Sequence, residues 1–162
     1  MAKQPIRRSS SRTDCRSRKE DKGGASLRFV FVGERPSFRA VQIGATWQNG
    51  KLSGKTLREA LLAFHLDPAA HHYLNLYPHP QSLDDAAWEE EACGEIMHLI
   101  EQGYIVVGLG RLVSDRLKQR RIPHLFMIHP AARGEIRRKE RYHAHVAATL
   151  AQARKERRGC CT

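Results

Sequence analysis

Cysteine is scarce in this sequence, and the four present form no pattern. Cys15, Cys93, Cys160 and Cys161 make no Cys-x-x-Cys pair and no Cys/His finger spacing. That spacing argues against a disulfide framework and a structural zinc site. Long apolar runs are missing too, so no stretch reaches membrane-spanning length. The amino terminus lacks the apolar core that a secretory signal needs. No carboxylate–histidine motif accompanies the nine histidines, so their number alone does not indicate a metal. A phosphate-binding loop is wanting as well. Ser53-Gly54-Lys55-Thr56 has its ending, but Asn49 stands where that loop needs glycine and no strand precedes it. A helix start is the better reading. The expectation is a cytoplasmic protein with no metal, no cofactor and no membrane partner.

What is abundant is positive charge. The formal net charge is +11, with a surplus of five before Leu27 and three after Leu150, leaving about +3 for the middle. A basic, Ser-rich segment with few apolar residues cannot bury enough surface to fold. It can hold a polyanion by releasing counterions. Residues 1–26 are therefore expected to be a disordered basic tail, 27–152 one folded domain, and 153–162 a basic carboxyl-terminal tail. Nucleic acid is the partner that a surplus of this sign favours.

The domain opens on Leu-Arg-Phe-Val-Phe-Val-Gly-Glu-Arg-Pro-Ser, residues 27–37. Its apolar run from Phe29 to Val32 fits a strand buried on both faces, broken at Gly33 into a shaped loop. That loop is expected to extend over 33–52. A helix follows over 53–66, with Leu57, Leu61, Leu62 and Phe64 inward and Thr56 with Glu59 as a capping box. Further strands are expected over 72–77, 104–109 and 122–128. Helices are expected over 82–102, capped by Ser82, over 110–121 and over 136–154. Strands alternating with helices imply an α/β fold with a parallel sheet. Ligands of such sheets sit beyond the carboxyl ends of the strands. The residues delivered there are Gly33 to Ser37, Asn75 with Tyr77, Gly108 to Gly110, and His129 with Pro130. An asparagine, a glutamate and a histidine at one sheet edge make a candidate site.

These residues add up to a resemblance. Gly33-Glu34-Arg35-Pro36-Ser37 resembles the first motif of the uracil-DNA glycosylase superfamily, in the Gly-Glu-Ala-Pro-Gly form of its iron–sulfur branch. Gly44-Ala-Thr-Trp47, Gly50 and Ser53-Gly54-Lys55-Thr56-Leu57 are similar to that branch's Gly-x-Pro-Phe-Val-Gly-x-Ala-Gly-x-Leu segment. Leu74-Asn75-Leu76 resembles the strand end that reads uracil, and Val106-Val-Gly-Leu-Gly110 the third strand and its turn. Ile128-His129-Pro130-Ala131 resembles the His-Pro-Ser motif, with alanine for serine. The likeness implies a three-layer α/β sandwich with a four-stranded parallel sheet.

It also implies a DNA N-glycosylase that flips uracil, or a related deaminated base, out of the stack and hydrolyses its glycosidic bond. Asn75 would pair with the base edge, Trp47 would offer a stacking face, and Gly33, Arg35 and Ser37 would complete the base pocket. His129 would donate to O2 as negative charge develops there. Glu34 would orient the attacking water. Lys55, Arg133, Arg137 and Arg138 suit phosphate contacts. The implied setting is a nucleoid-associated monomer acting on uracil-containing DNA.

There are departures. Arg35 stands where the best-known branch has a catalytic aspartate, and Ser37 is smaller than the tyrosine that bars thymine there. The loop after His129 has no intercalating leucine. The cysteines do not match the cluster ligands, so no iron–sulfur centre is expected. Two alternatives remain open: a non-catalytic nucleic-acid-binding member of the superfamily, and a small-molecule enzyme acting on nucleosides or nucleotides.

Overall fold

The computed structural model describes residues 27–81 and 83–159. The expected tail over 1–26 lies outside them. Strand β1 (Phe29–Gly33) is buried along its whole length. Phe29 and Phe31 enter one apolar core, and Val30 and Val32 enter another on the opposite face. This two-sided burial is why every position of the run is apolar. β2 (His72–Asn75) pairs with one edge of β1, and β3 (Ile105–Leu109) with the other. β4 (Leu125–Met127) adds outside β3, giving the order β2-β1-β3-β4, all parallel.

Five helices complete the described chain: α1 (Phe38–Gln42), α2 (Ser53–Ala63), α3 (Asp85–Glu101), α4 (Arg111–Gln119) and α5 (Lys139–Gly159). Leu57 and Leu61 of α2 and Tyr142, Val146 and Leu150 of α5 pack on the Phe29/Phe31 face. Ile96 and Leu99 of α3 and Val113 and Leu117 of α4 pack on the Val30/Val32 face. Crossover handedness explains why α2 lies on one face and α3 and α4 on the other. From β1 the chain moves one way along the sheet to β2, then reverses past β1 to β3 and on to β4. With right-handed crossovers, reversing the direction moves the crossover helix to the other face. The expected α/β fold with a four-stranded parallel sheet is present, and its helices cover both faces.

Several expectations are corrected. The loop expected over 33–52 contains α1, capped by the Ser37 hydroxyl, which accepts from the Ala40 N–H at 3.1 Å. None of its residues is buried, so it left no apolar periodicity in the sequence. The capping box at Thr56 and Glu59 is absent because α2 begins earlier, at Ser53, without a side-chain cap. Glu59 instead pairs with Lys139 of α5 at 3.0 Å. Leu62 points outward, and the buried stripe of α2 is Leu57, Ala60 and Leu61. Ser82 lies outside the described residues, and Asp84 caps α3 by accepting from the Ala87 N–H at 3.2 Å.

The second strand ends at Asn75, short of residue 77, although the N–H groups of Leu76 and Tyr77 still bond the carbonyls of Gly33 and Glu34 at 2.9 Å. The fourth strand is shortened because the Ile122 N–H closes the end of α4 on Leu117 O, and Pro123 has no N–H for a ladder. α5 starts later than expected and runs through the boundary drawn at 153, to Gly159. Ala153 continues the buried Tyr142, Val146 and Leu150 stripe at helical spacing, so the helix has a reason to go on.

One polar cluster ties the α3/α4 layer together. Glu89 is only 7 % exposed, and accepts from the Tyr77 hydroxyl at 2.8 Å and from Arg120 Nε at 3.0 Å. Burial opposes its charge, but these donors and nearby Arg116 outweigh it, so its pKa lies below the ordinary value. Glu90 beside it also pairs with Arg120 yet stands in solvent. Glu89→Ala should therefore lower unfolding stability by about 1–3 kcal/mol, since the buried Tyr77 hydroxyl loses its acceptor. Glu90→Ala should cost less than ~0.5 kcal/mol. Urea denaturation of both variants checks the difference; equal losses would contradict it.

Candidate functional site

The strand register puts Gly33 directly beside Asn75 at the carboxyl edge of the sheet. Above that edge opens a cavity of about 620 Å³, whose wall includes Arg35, Ser37, Trp47, Lys51, Asn75 and His129. This is the end of the sheet where the chain reverses its winding, the usual position for ligands in such folds. The volume falls within the range of small-molecule sites, ~300–1,000 Å³.

Trp47 reaches this edge from the loop between α1 and α2. Asn49 braces that loop by exchanging hydrogen bonds with Thr46 at 3.0 and 3.1 Å and donating to Gly44 O at 2.6 Å. Gly54 lets α2 close on it, since a Cβ there would stand 3.0 Å from the carbonyls of Thr46 and Trp47. The Trp47 indole Nε1–H donates to Asn75 Oδ1 at 2.8 Å. An indole N–H can only donate, so the amide oxygen must face it. Gly33 makes the contact possible: a Cβ there would lie 2.4 Å from Asn75 Oδ1 and 2.7 Å from Trp47 Cζ2.

His129 follows β4, with its ring centroid 6.0 Å from that of Trp47 at 67°. Its Nδ1 accepts from the Ala131 N–H at 3.1 Å. The neutral imidazole therefore carries its proton on Nε2, available as a donor. Burial pushes the pKa down, against a smaller opposing pull from the Glu34 charge. Gly110, at φ 95°, makes the turn behind it; a Cβ there would come within 3.5 Å of the His129 Cβ.

Asn75, Trp47, Gly33 and His129 are thus brought together. The other sequence candidates are placed differently. Arg35 lies in the wall, but its guanidinium is held by Asp85 Oδ2 at 2.7 Å, Pro80 O at 3.3 Å and the Tyr77 ring at 4.3 Å. It anchors the loop to α3 rather than reaching freely for a ligand. The Ser37 hydroxyl is used in capping α1. Glu34 is absent from the described cavity lining, and its carboxylate lies 3.5 Å from Arg35 Nε. Lys55 is exposed on the first turn of α2, and Arg133 is exposed in the loop after His129. Arg138 faces Glu135 at 3.4 Å, whereas neither Arg133 nor Arg137 has an ion pair among the described residues.

Three contributors escaped the sequence reading: Lys51 in the wall, Asp85 as the partner of Arg35, and the Ala131 N–H that sets the His129 tautomer. Only the last had a local signal, a histidine followed by proline and then a residue with a free N–H. Among the described residues, no group of three His, Cys, Asp or Glu could hold a metal ion. No described helix is long and apolar enough to cross a membrane. No family model matches the chain, and no curated protein is significantly similar to it.

Among the described residues, His129 is one of three imidazoles that accept a backbone N–H. Phe29 N donates to His71 Nδ1 at 3.4 Å, and Ile128 N donates to His145 Nε2 at 2.9 Å. Burial depresses the pKa of all three, although nearby Asp67 partly offsets this at His71. Protonation removes the lone pair and charges a poorly hydrated ring. The unfolded chain then binds more protons than the folded one just below the ordinary histidine value of about 6.5. Stability should be level above that pH and fall as the solution is acidified toward the depressed folded values, before the carboxylates titrate. Thermal melts between neutral and mildly acidic pH test this; a melting temperature that holds or rises would contradict it.

Proposed function

We propose that the chain is an N-glycosylase of the uracil-DNA glycosylase type, acting on uracil or a related deaminated base in DNA. The observation that carries this reading is the meeting of Asn75, Trp47 and His129 in one cavity at the carboxyl edge of a parallel sheet. The proposed roles follow from their atoms. The Asn75 amide offers both a donor and an acceptor, as pairing with O4 and N3–H of uracil requires. The His129 Nε2–H is a neutral donor whose bond to O2 strengthens as charge develops on the departing base. A donor preorganised in a partly dry site stabilises that charge without reorganising.

Cleavage breaks the N1–C1′ bond, with the electron pair leaving on the pyrimidine, water oxygen joining C1′, and one of the water's protons passing to the released pyrimidine anion. Glu34 is assigned to orient that water. Arg133 and Arg137, exposed beyond His129, are assigned to the phosphate backbone, and Lys55 approaches from α2. The fold is correspondingly taken as the three-layer glycosylase type, working as a monomer on DNA. A second reading, binding without cleavage, is favoured by one observation: Glu34 is outside the cavity lining, with its carboxylate near Arg35.

Single-turnover release of free base from a uracil-containing oligonucleotide separates the two readings. His129→Ala should lose ~10²–10³ in rate, as expected for removing one oxyanion-type donor. Asn75→Ala should also slow release. A folded His129→Ala protein with the wild-type rate would remove the mechanism, and wild type that binds DNA without release would favour the second reading. Replacing both Arg133 and Arg137 by alanine should flatten the salt dependence of DNA affinity by ~0.7–0.9 in log–log slope per lost phosphate contact. An unchanged slope would exclude these residues from the backbone interface.

A further inference from the structure

We infer that Trp47 is a positioning residue: its indole locks the Asn75 amide in one orientation, so that the cavity accepts a lactam edge and rejects an amidine edge. The inference rests on the glycosylase reading and deepens it by naming what discriminates the base.

Uracil presents a carbonyl acceptor, O4, beside a donor, N3–H. Cytosine presents the reverse: an amino donor at N4 beside a bare N3 acceptor. Adenine and hypoxanthine differ in the same sense, because deamination converts an amidine edge into a lactam. A carboxamide free to turn over could satisfy either pattern, since turning exchanges its oxygen with its NH₂. An asparagine alone is therefore a weak detector of deamination.

Here the turn is opposed. The Trp47 Nε1–H occupies one lone pair of Asn75 Oδ1 at 2.8 Å. Turning the amide over would set its NH₂ against the indole N–H, two donors facing each other with no acceptor between them. In the held orientation, the second lone pair of Oδ1 remains for N3–H of the ligand, and Nδ2 remains to donate to its carbonyl. A cytosine edge would meet donor against donor and acceptor against acceptor. A desolvated mismatch of that kind is how polar sites reject analogues strongly.

Two further features belong to the lock. Gly33 leaves the space it needs, because a Cβ would intrude on both the Asn75 oxygen and the Trp47 ring. The Thr46–Asn49 brace and the Gly54 contact keep the indole from swinging out. A phenylalanine at 47 would fill similar space but could not hold the amide, so the distinction lies in a single N–H.

The test uses the full chain and the variants Trp47→Phe and Gly33→Ala, with circular dichroism as the folding control. The sequence has two tryptophans, so Trp47→Phe identifies the Trp47 indole proton by NMR. In ligand-free wild type that proton should exchange slowly, and about fivefold faster in Asn75→Ala, the loss expected when one net hydrogen bond goes. The ratio of uracil to cytosine release from matched oligonucleotides should fall by about tenfold or more in Trp47→Phe and in Gly33→Ala, since a correctly read base edge carries roughly that discrimination. A folded Trp47→Phe protein with the wild-type ratio overturns the lock, as does indole exchange indifferent to Asn75→Ala.

If wild type releases no base, the glycosylase reading fails by itself. Free uracil and free cytosine then serve as the probes. A wild-type preference for uracil that Trp47→Phe abolishes supports the lock on its own, and a wild type with no preference overturns it.

Discussion

Strand β1 is hydrogen-bonded in parallel to β2 on one side and to β3 on the other. That double pairing fixes the register that sets Gly33 against Asn75. It also requires side chains that tolerate burial on both faces, which Phe29, Val30, Phe31 and Val32 supply. The helices that cover those faces brace the site: α2 bears on the Trp47 loop, α3 holds Arg35 through Asp85, and the turn into α4 backs His129. Moving β1 by one residue would put its phenylalanines among the valine contacts and separate Gly33 from the asparagine it accommodates.

Much of this frame was readable in the sequence because it rests on strong local signals. Four apolar runs rich in β-branched or aromatic residues gave the strands, and the helical spacing between them gave the parallel topology. The chemistry-bearing residues at strand ends were legible for the same reason: Asn75 and His129 come where apolar runs stop. What the sequence concealed depended on burial or on partners distant along the chain. α1 buries nothing, so no periodicity announced it. Glu59 has the spacing of a cap but bonds Lys139, eighty positions away, because α2 and α5 lie side by side. Arg35 sits inside a motif, yet its charge serves Asp85 and Tyr77. Nor could spacing reveal that the Trp47 indole would end on the Asn75 amide.

The site follows a consistent electrostatic logic. Its ring nitrogen donor is neutral because burial disfavours the imidazolium, and its tautomer is fixed by a backbone N–H rather than by a carboxylate. A neutral donor has no standing charge with which to attract the phosphate backbone. On the glycosylase reading proposed above, attraction of DNA would fall to exposed cations such as Arg133 and Arg137, outside the cavity. Separating the two tasks in this way would keep the strongest fields away from Asn75, where donor and acceptor geometry would decide. Glu34 bears on this arrangement through its charge on His129 and its pairing with Arg35.

The most direct test of a base-reading cavity is the structure of the chain bound to an oligonucleotide carrying a non-hydrolysable uridine analogue. The uracil should be turned out of the stack and seated in the cavity, with O4 bonded to Asn75 Nδ2, N3–H to Asn75 Oδ1, and O2 to His129 Nε2. A complex in which the uracil stays stacked in the strand, with the cavity empty and only phosphates contacted, would contradict it.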